Sequence, residues 1–491
     1  MRLKNRTLSG AIALIIALPG LAQAEDFYQK TRGYRVEPEP DPLTYVRNLS
    51  KTPLKQFRDI EWLDVGLEFR TRYEYRENDY RPSVPTSKFR NDPDNVWLLR
   101  TRGYIGVKNI LDPLRFAIEF QDSRSYGSLY ETTNAEVNSM DIIQGYGEFY
   151  FDHALGNNRP LSIRFGRHSL ELLDRRLIGN NQFRNTTNNF EGFRVHFGKK
   201  QNDWDLDTFA LQPVDRLKYK FDQPDEDTWI YGGVLSLKQW SDYVTIQPYF
   251  LGRKQNGDPT NAVAANRKPD LDIYAPGLRV YGVFGETQAW DFDTNINKQF
   301  GRFGTLSGTT QTLQQHDALA YSIELGYTLD HDWKPRFSAY FGYGTGDNNN
   351  ADKVNQRFDA FYGFNQPWSR NDYFSWDNII APKVRTEFTP YKDVRIDMGY
   401  NLYWEESETG GWNRANIRDT TGKSGSFLGH EFDIRMRHTL NKFVEWSLSY
   451  AHFTPGGFTT SQAKATGPFT TEPSNFFYWE VTINPFGDGK L

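Results

Sequence analysis

The sequence predicts an all-β protein: a transmembrane, antiparallel, up-and-down β-barrel of about 18 strands. Beyond residue 61, apolar and polar residues alternate with period two, the period of a strand with unlike faces. The alternating segments are joined by long and short connections in turn, as in barrels whose two rims differ. Aromatic residues make up 16% and charged residues 24%, with a mean hydropathy of -0.71. That pairing is too aromatic for disorder and too polar for a helical membrane protein.

Residues 1–24 are read as a signal peptide. MRLKNR is a basic start, LSGAIALIIALPGLA a short apolar run, and Ala22-Gln23-Ala24 a small-residue cleavage site. The run is shorter than the roughly 20 residues of a membrane-spanning helix, and no later stretch approaches an apolar 18-mer. The 491 residues include no cysteine, which excludes disulfides and thiolate chemistry. Residues 25–60 contain EPEPDP at 37–42 and no alternation, and read as a periplasmic N-terminal extension or a plug segment in the lumen.

Residues 61–486 are the expected barrel. In EWLDVGLEFRTRYEYRE, Val65, Leu67, Phe69, Thr71, Tyr73 and Tyr75 alternate with Asp64, Gly66, Glu68, Arg70, Arg72 and Glu74. The same split recurs in segments near 96–109, 114–123, 141–152, 161–168, 190–198, 203–212, 228–238 and 242–253. It continues near 277–285, 288–299, 317–329, 335–344, 379–390, 393–404, 429–439, 443–453 and 475–484. Links such as 110–113, 199–202, 286–288, 390–393 and 440–442 are short; those between are long, with 345–378 and 405–428 expected to be solvent-exposed loops. Trp62, Tyr75, Trp97, Trp204, Trp229, Trp240, Trp290, Trp404, Trp446 and Trp479 fall near segment ends, as an interfacial girdle would. Residues 487–491 are expected as a periplasmic overhang.

A β-sandwich would not demand strict long-short alternation, and a solenoid would show a fixed repeat, which is missing. In a barrel the apolar face meets lipid and the charged face lines water. That parity puts Arg70, Arg72, Arg100, Arg102, Arg115, Arg164, Arg194, Arg385, Arg395, Arg435 and Arg437 in the lumen, with Arg167 joining them only if a bulge shifts its register. Arginine keeps its charge and forks onto carboxylates, so a succession of such residues suits passage of an anion. Glu68, Glu74, Glu119, Glu148, Asp397, Glu431 and Asp433 share that face, and cross-strand pairing that stiffens the wall is the competing role for these arginines.

The segments Arg164-Phe165-Gly166-Arg167-His168, Arg176-Leu177-Ile178-Gly179 and Phe190-Glu191-Gly192-Phe193-Arg194 resemble the alginate-export family of outer-membrane porins. His168 stands where that family commonly has Gln, and the chain runs past Phe486 with GDGKL. The resemblance implies an arginine-lined constriction passing a polyuronate through the outer membrane of a Gram-negative cell. The expected partners are outer-membrane lipid, an anionic polysaccharide or small anionic solutes, with room for periplasmic secretion partners. No nucleic acid, cofactor or metal is expected: GDNNNAD (346–352) lacks calcium-loop spacing, and the eight histidines lack metal-ligand spacing. A general diffusion porin is the first alternative. An outer-membrane hydrolase is the second, and no nucleophile motif accompanies His196, His430 or His452.

Overall fold

A computed structural model describes residues 31–41, 43–81, 90–156, 158–261, 267–349, 351–466 and 470–486. The leader at 1–24 and the overhang at 487–491 lie outside the described residues.

Eighteen strands form one closed antiparallel barrel. They are β1 (Leu63–Glu77), β2 (Asp94–Val107), β3 (Leu114–Tyr126), β4 (Asn138–Phe151), β5 (Leu161–His168) and β6 (Phe190–Phe197), followed by β7 (Trp204–Asp215), β8 (Thr228–Leu237), β9 (Val244–Gln255), β10 (Leu271–Phe284), β11 (Trp290–Ser307) and β12 (Thr310–Thr328). The wall is completed by β13 (Arg336–Gly344), β14 (Ile379–Tyr391), β15 (Val394–Trp404), β16 (Phe427–Asn441), β17 (Val444–Pro455) and β18 (Ser474–Ile483). Closure is direct, β18 pairing with β1 from Phe69↔Ile483 to Glu77↔Asn475. Because β18 stops there, the lower edge of β1 is free, and Val46–Asn48 pairs with Asp64–Gly66 to fill it. Every backbone donor of a lipid-facing wall needs such a partner, since the hydrocarbon offers none.

The period-two pattern sorts as lipid and water require. Phe69, Leu99, Ile105, Phe116, Phe120, Phe193, Ile296, Ile323, Phe337 and Val384 are exposed on the outer face, whereas the alternating Arg70, Arg100, Arg102, Glu119, Asn295, Ser322 and Arg385 are buried inside. Trp62, Trp97, Trp229, Trp240 and Trp290 are exposed near strand ends, where an amphipathic ring meets the interface; Trp479, also exposed, sits mid-strand in β18.

Four connections differ from expectation, the 405–428 loop among them. The 300–316 connection, expected as a long loop, is a strand extension: β11 and β12 run 18 and 19 residues and meet at Ser307↔Thr310 across a two-residue turn. β10 likewise starts at Leu271 instead of 277. Of the 345–378 connection, expected to be exposed, residues 358–376 fold into the lumen; Phe358, Trp368, Tyr373, Phe374 and Trp376 are buried there, joining Leu170, Leu172, Leu177 and Ile178 of the 169–189 connection in one core. The 405–426 loop contributes buried Trp412 and Ile417 to that core, and helix α1 (Gly457–Thr466) packs Phe458 and Ala463 against it.

Candidate functional site

The lumen is occupied by three pieces of chain: residues 31–41 with 43–45, residues 169–189, and residues 358–376. The two loops dock through a parallel bridge at Ile178↔Tyr362. Tyr362 N donates to Leu177 O at 2.9 Å, and Gly179 N to Tyr362 O at 3.1 Å. Arg176 lies over Tyr340 (5.0 Å) and Trp368 (5.6 Å) and pairs with Asp174 at 3.0 Å. The Arg-Leu-Ile-Gly segment at 176–179 is thus a loop-docking element. In the wall beside it, Gly166 and Gly192 face each other across β5 and β6 with φ of +111° and +147°. A Cβ at either would stand 2.5 Å from the carbonyl oxygen of Gly145 or Ala210, so only glycine fits that coiled stretch of wall.

Eleven of the twelve arginines singled out in the sequence point inward, and each has a partner. On β1 and β2, Arg100 and Arg102 reach Glu68 at 2.8 and 2.9 Å, and Arg72 reaches Glu480 at 3.1 Å. Their remaining donors hold the 169–189 loop: Arg70 donates to Gln182 O (2.9 Å) and Arg184 O (2.8 Å), Arg102 to Gln182 Oε1 (2.8 Å), and Arg72 to Phe183 O. Arg115 stacks over Tyr150 at 3.6 Å, and Arg194 pairs with Asp207 at 2.6 Å. Arg164 pairs with Glu148 at 3.1 Å and lies over Tyr146 at 4.1 Å. Across the lumen, Arg385 and Arg435 reach Asp397 at 3.2 and 3.0 Å, Arg437 the same carboxylate at 4.0 Å, and Arg395 pairs with Glu387.

Arg167 is the correction. The β4–β5 register runs without a shift from Phe151↔Leu161 to Gly145↔Arg167, so Arg167 keeps the outward parity of Phe165. Its guanidinium turns along the wall to Glu191 (3.1 Å) and the carbonyls of Ile142 and Asp222.

Parity missed several charged groups. Arg370, in a loop with no period, donates to Asp397 at 2.7 Å and to Asp433 at 3.2 Å. Arg336 opens its strand, at a boundary where alternation has not begun, and reaches Asp291 at 2.7 Å and Glu324 at 2.9 Å. Arg279 pairs with Asp293 at 2.6 Å; its inner-face neighbours Tyr281 and Val283 blur the contrast between the faces. At the long-loop end a cavity of about 410 Å³ opens, lined by Arg184, Arg357, Arg414, Phe361 and Tyr362 among others. Its arginines pair with Asp372 (3.0 and 2.8 Å) and Asp377 (2.7 Å).

The N-terminal segment crosses between the two walls. Thr31 donates to Asp293 Oδ2 at 2.7 Å, and Tyr34 N to Glu324 Oε2 at 3.1 Å. The Tyr34 hydroxyl donates to Asp397 Oδ1 at 2.9 Å, with the Arg385 guanidinium 3.5 Å from its ring centre. Further along, Glu39 accepts from Asn180 and Gln182, Asp41 pairs with Arg164 at 2.9 Å, and Tyr45 donates to Glu119.

Comparison with solved structures returns the same architecture. The chain is similar to OccAB1 of Acinetobacter baumannii (TM-score 0.56, 10% identity, 86% of this chain and 96% of that one). It is similar to OccAB3 of the same organism (0.55, 12%, 86% and 98%) and to OccK11 (OpdR) of Pseudomonas aeruginosa (0.53, 11%, 89% and 98%). At such identities the likeness is one of fold. No curated protein matches in sequence. A family model described as alginate export matches residues 61–471, the span of β1 to β17 with both inward loops. The chain therefore belongs to the alginate export family, as an outer-membrane β-barrel channel of the Gram-negative type.

Proposed function

We propose that the channel passes an anionic polysaccharide or oligosaccharide of the uronate type through its lumen. The observation that carries this reading is the cluster of guanidinium groups at the inner face of β14–β16. There Arg385, Arg435 and Arg437 of the wall and Arg370 of the inward loop surround Asp397 and Asp433, while Glu387 is taken by Arg336 and Arg395 and Glu431 is engaged by Ser369 (2.6 Å), Arg370 N (2.8 Å) and Asn371 (2.7 Å). Fixed positive charge in a low-dielectric wall focuses the field on a passing anion. The arginine-lined cavity at the long-loop end supports the same reading, giving a uronate chain charged and aromatic contacts at entry or exit. Residues 31–41, inside the barrel, act here as a lumenal plug. A general diffusion porin is the second reading, favoured by the partner that each inner-face arginine already holds.

Reversal potentials across a planar bilayer under a salt gradient decide between them. Anion preference, with current interrupted by uronate oligomers more than by neutral oligomers of equal length, is expected. Cation preference would leave the general porin; anion preference with indifference to uronates would keep an anion channel and remove the polysaccharide.

A further inference from the structure

Residues 36–41 read Val-Glu-Pro-Glu-Pro-Asp, with a carboxylate at every second position and proline between. Proline holds φ near that of an extended polyproline helix, so successive carboxylates stand about 6 Å apart along a stiff backbone. A uronate chain is built on the same plan, one carboxylate per repeating unit on a stiff backbone. This acidic stretch lies in the lumen, and its carboxylates are received as a ligand's would be. Asp41 Oδ2 lies 2.9 Å from Arg164 Nη2, yet the Asp41 side chain remains 56% exposed. Arg164 is prepared for it from the wall side, over the Tyr146 ring at 4.1 Å and braced by Glu148 at 3.1 Å. The Glu39 carboxylate accepts from two side-chain amides, Asn180 Nδ2 at 3.1 Å and Gln182 Nε2, both on the inward 169–189 loop.

The ends of the stretch are secured differently. Val46–Asn48 is built into the wall as a strand on β1. Between Tyr34 and Tyr45 the hold is by side chains: Tyr34 on Asp397 (2.9 Å), Arg175 on the Arg35 carbonyl, and Tyr45 on Glu119. Side-chain contacts release one at a time, whereas the wall strand does not, so the segment can swing from 46–48 and leave its seat without opening the barrel.

We propose that residues 36–41 are a self-ligand: in the resting channel Asp41 occupies a carboxylate subsite formed by Arg164, the stretch being steadied beside it by the Asn180 and Gln182 amides on Glu39, and an anionic polysaccharide enters by displacing it. This rests on the uronate reading above and adds its regulation and one of its subsites.

The test uses the full chain in planar bilayers, with an Asp41→Asn variant, a deletion of residues 31–41, and a defined uronate oligomer as probe. Heat-modifiable migration in detergent gels reports that each barrel is folded. Both variants are expected to block at about tenfold lower oligomer concentration than wild type, as when a competent state populated at about one part in ten becomes the resting state. Adding Arg164→Ala to the deletion should reverse most of that gain. Raised conductance with unchanged uronate affinity would overturn the self-ligand, since the segment would then obstruct without competing. Indifference to uronates in every folded variant, the deletion included, would overturn the polysaccharide reading and the self-ligand with it.

Discussion

The arginines of β1–β2 and the arginine of β5 face the same lumen and do different work. Arg72 and Arg102 are 1% and 2% exposed, and their donors end on carboxylates of the wall and on the loop that fills the lumen. Arg164 is also buried, but one of its two carboxylates, Asp41, belongs to the N-terminal segment, which lies inside the barrel on side-chain contacts, and it stands open to the lumen's water. Facing inward is thus not enough to make a transport residue; what matters is whether the partner can leave. The largest expected effect tests this. Arg72→Ala takes one cation from Glu74 and from Glu480, leaves Glu480 to Arg70 at 3.6 Å, and frees the Phe183 carbonyl; losing one side of a buried ion pair costs about 3–5 kcal/mol. Arg164→Ala also leaves a buried acid, Glu148, with Ser162 as its remaining donor at 2.6 Å, so it should destabilise too; what separates the two is that it also weakens uronate block, which Arg72→Ala should leave unchanged. Urea unfolding in lipid vesicles and block recordings on refolded barrels measure both, and equal changes in block would erase the distinction.

The outer face sharpens the comparison next. Ile323 points to lipid, and Ile323→Arg should cost roughly 2–4 kcal/mol in the same assay, as for a cation near mid-membrane. In an open, water-filled pore the neighbouring inward position would tolerate Ser322→Arg. Here Ser322 is 3% exposed and pairs with Gly342, against which Trp368 of the inward loop packs. Ser322→Arg should therefore destabilise as well. Full tolerance would mean that the loop is not seated in the folded barrel.

The strands were legible in the sequence, and the filling of the lumen was not, for one physical reason. A strand between lipid and a polar interior has unlike faces, so Phe69 and Arg70, or Ile323 and Ser322, alternate in composition. An inward loop has no such constraint, and the stretch 345–378 shows no period. Its signal was composition: Phe358, Phe361, Tyr362, Phe364, Trp368, Tyr373, Phe374 and Trp376 crowd a connection that exposure would keep polar. The β11–β12 ribbon hid for the opposite reason. Gly301, Gly304, Thr305 and Thr312 leave that stretch without a continuous apolar face for alternation to reveal. Parity identified the inward arginines of β1, β2 and β5 but could not separate clamp from subsite, because the discriminating partners, Phe183 and Asp41, lie on segments without period.

pH offers a smaller and graded effect. Glu39 is pushed up to about 7, first by burial and then by Glu171, against the pull of Arg102, the Asn180 hydrogen bond and Arg175. A raised carboxyl favours the seated segment when protonated. That contribution is complete below about 4.5, the ordinary value, and is lost as pH rises through about 7. Asp41, lowered by Arg164 against the opposing effect of burial, acts in the other direction, its contribution being lost as pH falls below the ordinary range. Open probability should rise several-fold between pH 5 and 8, and Glu39→Gln should flatten that rise, on bilayer recordings at fixed ionic strength. A wild-type channel with no response across that window would show that the seat of Glu39 does not limit opening.

The smallest effect on stability belongs to Arg395, a third kind of inward arginine. It stands at the start of β15, beside the 392–393 turn at the short-turn rim, and its side chain is 48% exposed while pairing with Glu387. An ion pair that wet contributes about 0–1 kcal/mol, so Arg395→Ala should leave unfolding almost unchanged. Its cross-strand neighbour is Arg437, whose carboxylate Asp397 lies 4.0 Å away, so two guanidinium groups stand side by side at this rim. Water reaches Arg395 without displacing any segment, and a mobile anion can as well. Arg395→Ala is therefore expected to lower anion preference modestly, to lose part of that effect at high salt where screening shortens the reach of the charge, and to leave the uronate competition at Arg164 intact. An effect on uronate affinity as large as that of Arg164→Ala would mean that the polysaccharide is bound at the rim, and that charge alone, with no displaceable partner, defines a subsite in this channel.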